Sequence, residues 1–162
     1  MKTILSFNLL LLFTSCSDFD KKAELGNVDT LKAVKNNEQS DWISKKKELI
    51  NLSVEKGDTV AFEQLVREYY FDDPYGEFLN SAIIMANHYN YRGGYFFTYL
   101  ALCQPHPLAP EMNEKTECLA YYYLLKAYEL KDERAVGTVK EKFGDKEIPS
   151  ANSYLVKMSE LK

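Results

Sequence analysis

From Ser40 onward the apolar residues recur at three- and four-residue spacing, and no stretch alternates as a half-buried strand would. That pattern predicts helices throughout. Ser40 stands where it can cap a first helix over about 40–55, with Trp42, Ile43, Leu49, Ile50 and Leu52 along one side. Lys56-Gly57 stops it, and Asp58 caps a second helix carrying Ala61, Phe62, Leu65, Val66, Tyr69 and Tyr70. Phe71-Asp72-Asp73-Pro74 reads as a turn. A third helix is expected over about 75–88, with Leu79, Ala82, Ile83 and Ala86 on its apolar face. Arg92-Gly93-Gly94 predicts a break before a stretch over 95–102. Prolines 105, 107 and 110 make 104–114 an irregular loop. Asn113 or Thr116 starts the helix after it, 117–130, which is apolar on every side between Cys118 and Leu125 and so sits between neighbours. Two shorter helices follow near 132–143 and 150–161. The expectation is an all-α domain of six or seven helices over residues 40–162, long enough for one core.

The beginning of the chain follows a different pattern. Lys2 is followed by an apolar run from Ile4 to Phe13, the layout of a secretory signal over residues 1–15, too short to span a bilayer. Residues 17–39 are polar and charged, and read as a flexible tether with a helical turn near 28–34. Phe13-Thr14-Ser15-Cys16 resembles the lipobox of bacterial lipoproteins, with Phe13 where that family prefers Leu. The resemblance implies that Cys16 is lipidated and becomes the new N-terminus, so that 16–39 links an anchor to the folded body. It also implies a bacterial cell envelope location, with the outer membrane as the expected site. Ser17-Asp18-Phe19-Asp20 resembles the acidic tag of surface-exported lipoproteins, and a plain solvated linker is the equal alternative.

A second regularity lies inside the helical region. Gly57-Asp58-x-x-Ala61 opens one helix and Lys131-Asp132-x-x-Ala135 opens another. Ala61 and Ala135 are 74 residues apart, twice 37, and the midpoint falls near Gly93-Gly94-Tyr95. Between them, the run from Ala120 through Lys126-Ala127 to Leu130 resembles the second helix of Sel-one-like repeats, relatives of the tetratricopeptide repeat. The resemblance covers about 57–143 and lacks the Gly-rich loop of that family. It implies a short right-handed array of antiparallel helical hairpins, an α-solenoid.

Charge narrows the choice of partners. The chain carries a net charge of −4, and cleavage before Cys16 would remove Lys2 and leave −5. An acidic body gains nothing from phosphate backbones or anionic lipid, so neither nucleic acid nor a membrane surface is expected against the protein itself. The lipid would be the only membrane contact. Twelve tyrosines make aromatic side chains the compositional outlier. Tyr75, Tyr89, Tyr91, Arg92 and Tyr95, with Asp72 and Asp73 as an acidic rim, are the candidate partner-binding residues. The competing reading makes the tyrosines hairpin packing. Cys103 and Cys118 flank the proline loop. A disulfide there would stabilise by about 3 kcal/mol, and two reduced thiols are the alternative. Cys103-x-x-His106 with His88 lacks a second paired motif, so no metal and no cofactor are expected. No carboxylate spacing marks an acid–base pair.

These features point to a membrane-anchored envelope lipoprotein acting as a non-catalytic protein–protein interaction module. One specific version is an immunity protein that neutralises a basic toxin from neighbouring cells. The alternative is a small envelope enzyme or carbohydrate-binding accessory, which predicts a deep pocket joining Tyr91, Tyr95 and acids near Asp72.

Overall fold

A computed structural model describes residues 28–70, 76–104 and 112–161, with side chains from Ser40 onward and that of Tyr69 left out. Among the described residues the protein is an all-α helical array of seven helices without a strand: α1 (Val28–Lys56), α2 (Thr59–Tyr69), α3 (Glu77–Asn87), α4 (Arg92–Cys103), α5 (Glu114–Glu129), α6 (Glu133–Phe143) and α7 (Ala151–Glu160). The chain divides into a unit of residues 1–37 and a unit of residues 38–162. The candidate signal, Cys16, and the acidic stretch after it lie outside the described residues. No helix among the described residues is long and apolar enough to cross a membrane.

The first helix begins at Val28 and not at Ser40. No Gly or Pro interrupts the sequence from Val28 to Lys56, so Ser40 lies within the helix and caps nothing. Trp42 and Ile43 remain 38% and 46% exposed, whereas Leu49 is buried with Ile50 and Leu52 packed beside it. Two ion pairs, Lys45 to Glu68 at 2.7 Å and buried Lys46 to Glu77 at 3.5 Å, link α1 to α2 and α3. The exposed Lys45 pair contributes little to stability.

The core has two parts that meet on α4. One is built around Phe62, Leu65, Phe78, Met85 and Phe97, where the Phe62 ring stacks on Phe78 and meets Tyr91 and Phe97 edge-on. The other gathers Tyr95, Phe96, Tyr99, Tyr123, Leu124, Leu125 and Val139. Every residue from Gly93 to Tyr99 is buried, so α4 is covered on all sides. Helix α5 packs against α4, α6 and α7, as its all-round apolar sequence predicted. On α3 the buried positions are Phe78, Ser81, Ala82, Met85 and Ala86. Ala82 and Ala86 of the predicted face are buried, while Leu79 and Ile83 are only partly buried and Phe78 and Met85 lie inward in their place.

Three helix junctions repeat one geometry. Gly57, Asn90 and Lys131 each adopt a left-handed backbone, with φ of +64°, +50° and +60°. Asp58, Tyr91 and Asp132 follow as extended N-caps of α2, α4 and α6. Each cap amide donates back into the preceding helix, Asp58 to Leu52, Tyr91 to Met85 and Asp132 to Ala127. A left-handed residue lets a helix close its last carbonyls and turn directly into the next helix. A small buried residue stands four positions before each left-handed residue and another four positions after it: Ser53 and Ala61, Ala86 and Gly94, Ala127 and Ala135. Small pairs allow the two helices to cross closely.

Gly93-Gly94 is therefore not a break but the first turn of α4. A Cβ on Gly94 would lie 2.5 Å from the Ala86 nitrogen, and one on Gly93 would lie 2.6 Å from the Tyr91 ring. At Gly94 the obstacle is backbone, so only glycine fits and its low helix propensity is outweighed by the contact, whereas at Gly93 the crowding atoms belong to the Tyr91 and Glu63 side chains. Gly94 divides the interval between Ala61 and Ala135 unequally, 33 residues before it and 41 after, because the second hairpin contains the proline segment.

Candidate functional site

The repeated junctions bring the first turns of α2, α4 and α6 together, and a polar cluster joins them. Asp132 caps α6: its Oδ1 accepts the Arg134 and Ala135 amides at 3.0 and 3.4 Å. The same carboxylate takes the Arg134 side chain in a two-point contact, Nε to Oδ1 at 3.0 Å and Nη2 to Oδ2 at 2.8 Å. Such a fork fixes the guanidinium plane as well as its charge. Arg134 then reaches Glu63 of α2, with both terminal nitrogens 3.3 Å from Oε1 and Nη1 3.3 Å from Oε2. The Tyr91 hydroxyl donates to Glu63 Oε1 at 2.7 Å. Beneath the guanidinium lie the rings of Phe97 at 4.6 Å and Phe96 at 5.4 Å, within cation–π range.

Burial differs sharply across this group. The Asp132 side chain is 3% exposed, while those of Glu63 and Arg134 are 35% and 37% exposed. Burial works to raise the Asp132 carboxyl, but the Arg134 guanidinium and two backbone amides outweigh it and hold it below the usual carboxylate range. Burial, followed by the hydrogen bond to the Glu63 carboxylate, pushes the Tyr91 hydroxyl up to about 12. Neither group is poised to exchange a proton near neutral pH. Counting Glu63, Asp132 and Arg134, the cluster carries one net negative charge, and its solvent side is the Glu63–Arg134 edge.

The residues singled out from sequence are distributed around this cluster. Tyr91 belongs to it. Tyr89 is half-buried against Gly57, and its hydroxyl donates to the Val54 carbonyl at the end of α1. Arg92 is exposed and donates to the carbonyl of Lys131, the left-handed residue of the next junction. Tyr95 is buried, with its hydroxyl 3.3 Å from Asn90 Oδ1 and its ring beside Tyr123. Each of these four side chains thus ties one junction to another part of the fold. Tyr75, Asp72 and Asp73 lie outside the described residues, as does His106. His88 is exposed and meets only the edge of Tyr89 among described rings. Among the described residues no cluster of His, Cys, Asp and Glu has the grouping a metal ion needs.

Cys103 and Cys118 stand as free cysteines, one exposed and one buried. Cys118 is 2% exposed inside α5, and Cys103 ends α4 at the surface with its sulfur engaged by the Tyr99 hydroxyl. The two cysteines face different surroundings. Burial pushes the Cys103 thiol up, so it is a poor nucleophile.

Sequence reasoning missed Glu63 and Arg134 as partners. They are 71 residues apart and carry no motif. The available signal was the junction itself: counted from Asp58 and Asp132, Glu63 is the fifth residue and Arg134 the second, both on the outer side of a first helix. Comparison with protein-family models, with curated proteins and with solved structures gave no match for this chain.

Proposed function

We propose that the chain is a lipid-anchored envelope protein whose helical-hairpin array, of the tetratricopeptide and Sel-one-like kind, binds another protein without catalysing a reaction. The observation that carries this reading is the junction repeated at Gly57, Asn90 and Lys131. The first turns that follow it are joined through Glu63, Tyr91 and Arg134, and stacked helical repeats of this kind offer extended binding surfaces. The chemistry of that cluster supports recognition over catalysis. Its tyrosine and buried aspartate are held far from neutral proton exchange, and its arginine is fixed in a plane.

The anchor reading rests on the sequence from Met1 to Cys16, and the acidic body suits a basic partner. An immunity protein that intercepts a basic toxin from neighbouring cells satisfies the location, the size and the charge together. Toxicity rescue tests it. Cells expressing a candidate toxin from the adjacent genes should survive when this chain is co-expressed and die when Cys16 is replaced by serine. Equal survival with the Cys16→Ser protein would remove the anchor from the account. Failure of the chain to co-purify with any protein from cross-linked envelopes would count against the binding module.

A further inference from the structure

Helix α7 is completed by a residue of another helix. At ten residues it is too short to persist alone in water. Its N-cap, Ser150, makes no side-chain bond to it, whereas Asp58, Asn113 and Asp132 each supply the capping oxygen of their own helix. For α7 that oxygen comes from Glu129, the last residue of α5. Glu129 Oε1 accepts the Ala151 amide at 3.0 Å, and Lys126 holds Oε2 at 3.0 Å. One turn on, the Tyr154 ring stacks on Tyr121 of α5 with centroids 5.0 Å apart. Among the described helices α7 packs chiefly on α5. The contact is shallow. Ala151 is the one buried residue of α7, Tyr154, Leu155 and Met158 are half-buried, and Val156 is exposed. On α4, by contrast, every residue from Gly93 to Tyr99 is buried.

The side of α5 under this contact holds a thiol. Cys118 stands three positions before Tyr121 on the same side of α5 and is 2% exposed. Cys118 and Tyr121 both act electrostatically on the Tyr154 hydroxyl, so the three side chains lie together. An element with few buried contacts, dependent on one neighbour for its cap, opens before the rest of a fold. We propose that α7 is a releasable strap: it leaves α5 as a unit while α2–α6 stay folded, and its release uncovers the Cys118–Tyr121 stripe of α5. Release is all-or-none within 151–160. The Glu129 bond, the tyrosine stack and the burial of Ala151 go together, because undocked α7 has neither a cap nor an apolar neighbour to keep it helical. Docking of α7 therefore sets access to one side of α5, and the strap works the same with or without a lipid anchor.

Thiol accessibility tests the strap. The full-length chain in detergent is labelled with a small maleimide at increasing urea, and peptide mass spectrometry reads Cys103 and Cys118 separately. Exposed Cys103 should label first. Cys118 should follow at a rate nearly flat in urea well below the unfolding transition, the mark of a local opening that exposes little surface. Glu129→Ala removes the cap and Tyr154→Ala removes the stack. Each should raise the Cys118 rate about fivefold or more, with hydrogen exchange in 76–104 unchanged. Gly94→Ala strains the α3–α4 crossing and not the α5–α7 contact, and should leave the Cys118 rate as it was. A rate that climbs with urea from the start, or that Gly94→Ala raises as much as Glu129→Ala does, overturns the strap, since only global unfolding then reaches the thiol. Labelling of Cys118 as fast as Cys103 also overturns it, because α7 then covers nothing. So does a rate that Glu129→Ala or Tyr154→Ala leaves unchanged. Where a variant does not fold, the urea profile of the unaltered protein decides alone.

Discussion

Alanine at Gly94 and alanine at Gly137 should move stability in opposite directions, although both sites are helical glycines. At Gly94 the new methyl would lie 2.5 Å from the Ala86 nitrogen and 2.8 Å from the Met85 carbonyl carbon. Both obstacles are backbone, so no side chain can rotate out of the way. Helix α3 must move from α4 by nearly an ångström, opening the packing of Met85, Phe78 and Phe97. Overpacking of a closed core costs about 1–3 kcal/mol, and the backbone obstruction puts Gly94→Ala at the upper end. Alanine returns about 1 kcal/mol in helix propensity, which leaves a net loss of about 2 kcal/mol. For Gly137→Ala only the propensity gain remains, a stabilisation of about 0.5–1 kcal/mol. At about 2–4 °C per kcal/mol for a chain of this size, the melting temperatures should separate by roughly 5–12 °C. Thermal and urea unfolding followed by helical circular dichroism measure both variants, and equal urea slopes would show that the surface exposed on unfolding is unchanged. A Gly94→Ala protein as stable as the parent would refute the close crossing at Ala86 and the repeated-junction account with it.

The remaining predictions concern the cluster and the last helix. Asp132→Ala removes a buried cap and strands Arg134, and should cost about 2–3 kcal/mol, against about 1 kcal/mol for the half-buried cap Asp58. Because the Asp132 carboxyl is held low in the folded protein, its contribution is present above about pH 4 and lost as pH falls further. The stability gap between the parent and Asp132→Asn should therefore be constant near neutrality and close in acid, as denaturant midpoints across pH would record. The raised Tyr91 hydroxyl has the opposite sense: its contribution is full below about pH 10 and lost as pH rises through about 12. Tyr91→Phe should lower stability by about 1 kcal/mol at neutral pH and flatten the alkaline limb of the pH profile. Ser150 provides no side-chain cap for α7, and the Ala151 amide instead donates to Glu129 Oε1 at 3.0 Å. Glu129→Ala should raise hydrogen exchange in 151–160 while leaving α2–α4 protected.

Much of the helical outline is legible because its signals are local. Asp58 and Asp132 stand immediately before periodic apolar residues, and both cap helices where the sequence placed them. Asn113 likewise caps α5 through its side chain. The errors arise where a residue's role depends on what crosses it. Gly93-Gly94 is indistinguishable from a break until Ala86 and Tyr91 are seen against it. Phe78 and Met85 lie inward instead of Leu79 because α4 approaches α3 from that side. Asn90 occupies a left-handed position that glycine fills at position 57, so the middle junction was hidden by its composition. The Glu63–Arg134 pair needs the hairpin array assembled before the two side chains meet. Tyr89, Tyr91, Arg92 and Tyr95 were singled out as a group and do lie near the junctions, yet each hydrogen bond places them as ties within the fold.

The claim on which location, partner and purpose all depend is that this array hangs from an acylated Cys16. Intact-mass spectrometry of the full chain, expressed in a diderm bacterium and recovered from its membrane fraction, measures it in one step. The account predicts a single species beginning at Cys16, heavier than the bare polypeptide by its acyl chains and glycerol. A protein recovered from the cytosol at the mass of the unprocessed chain, with Met1 in place, would contradict it.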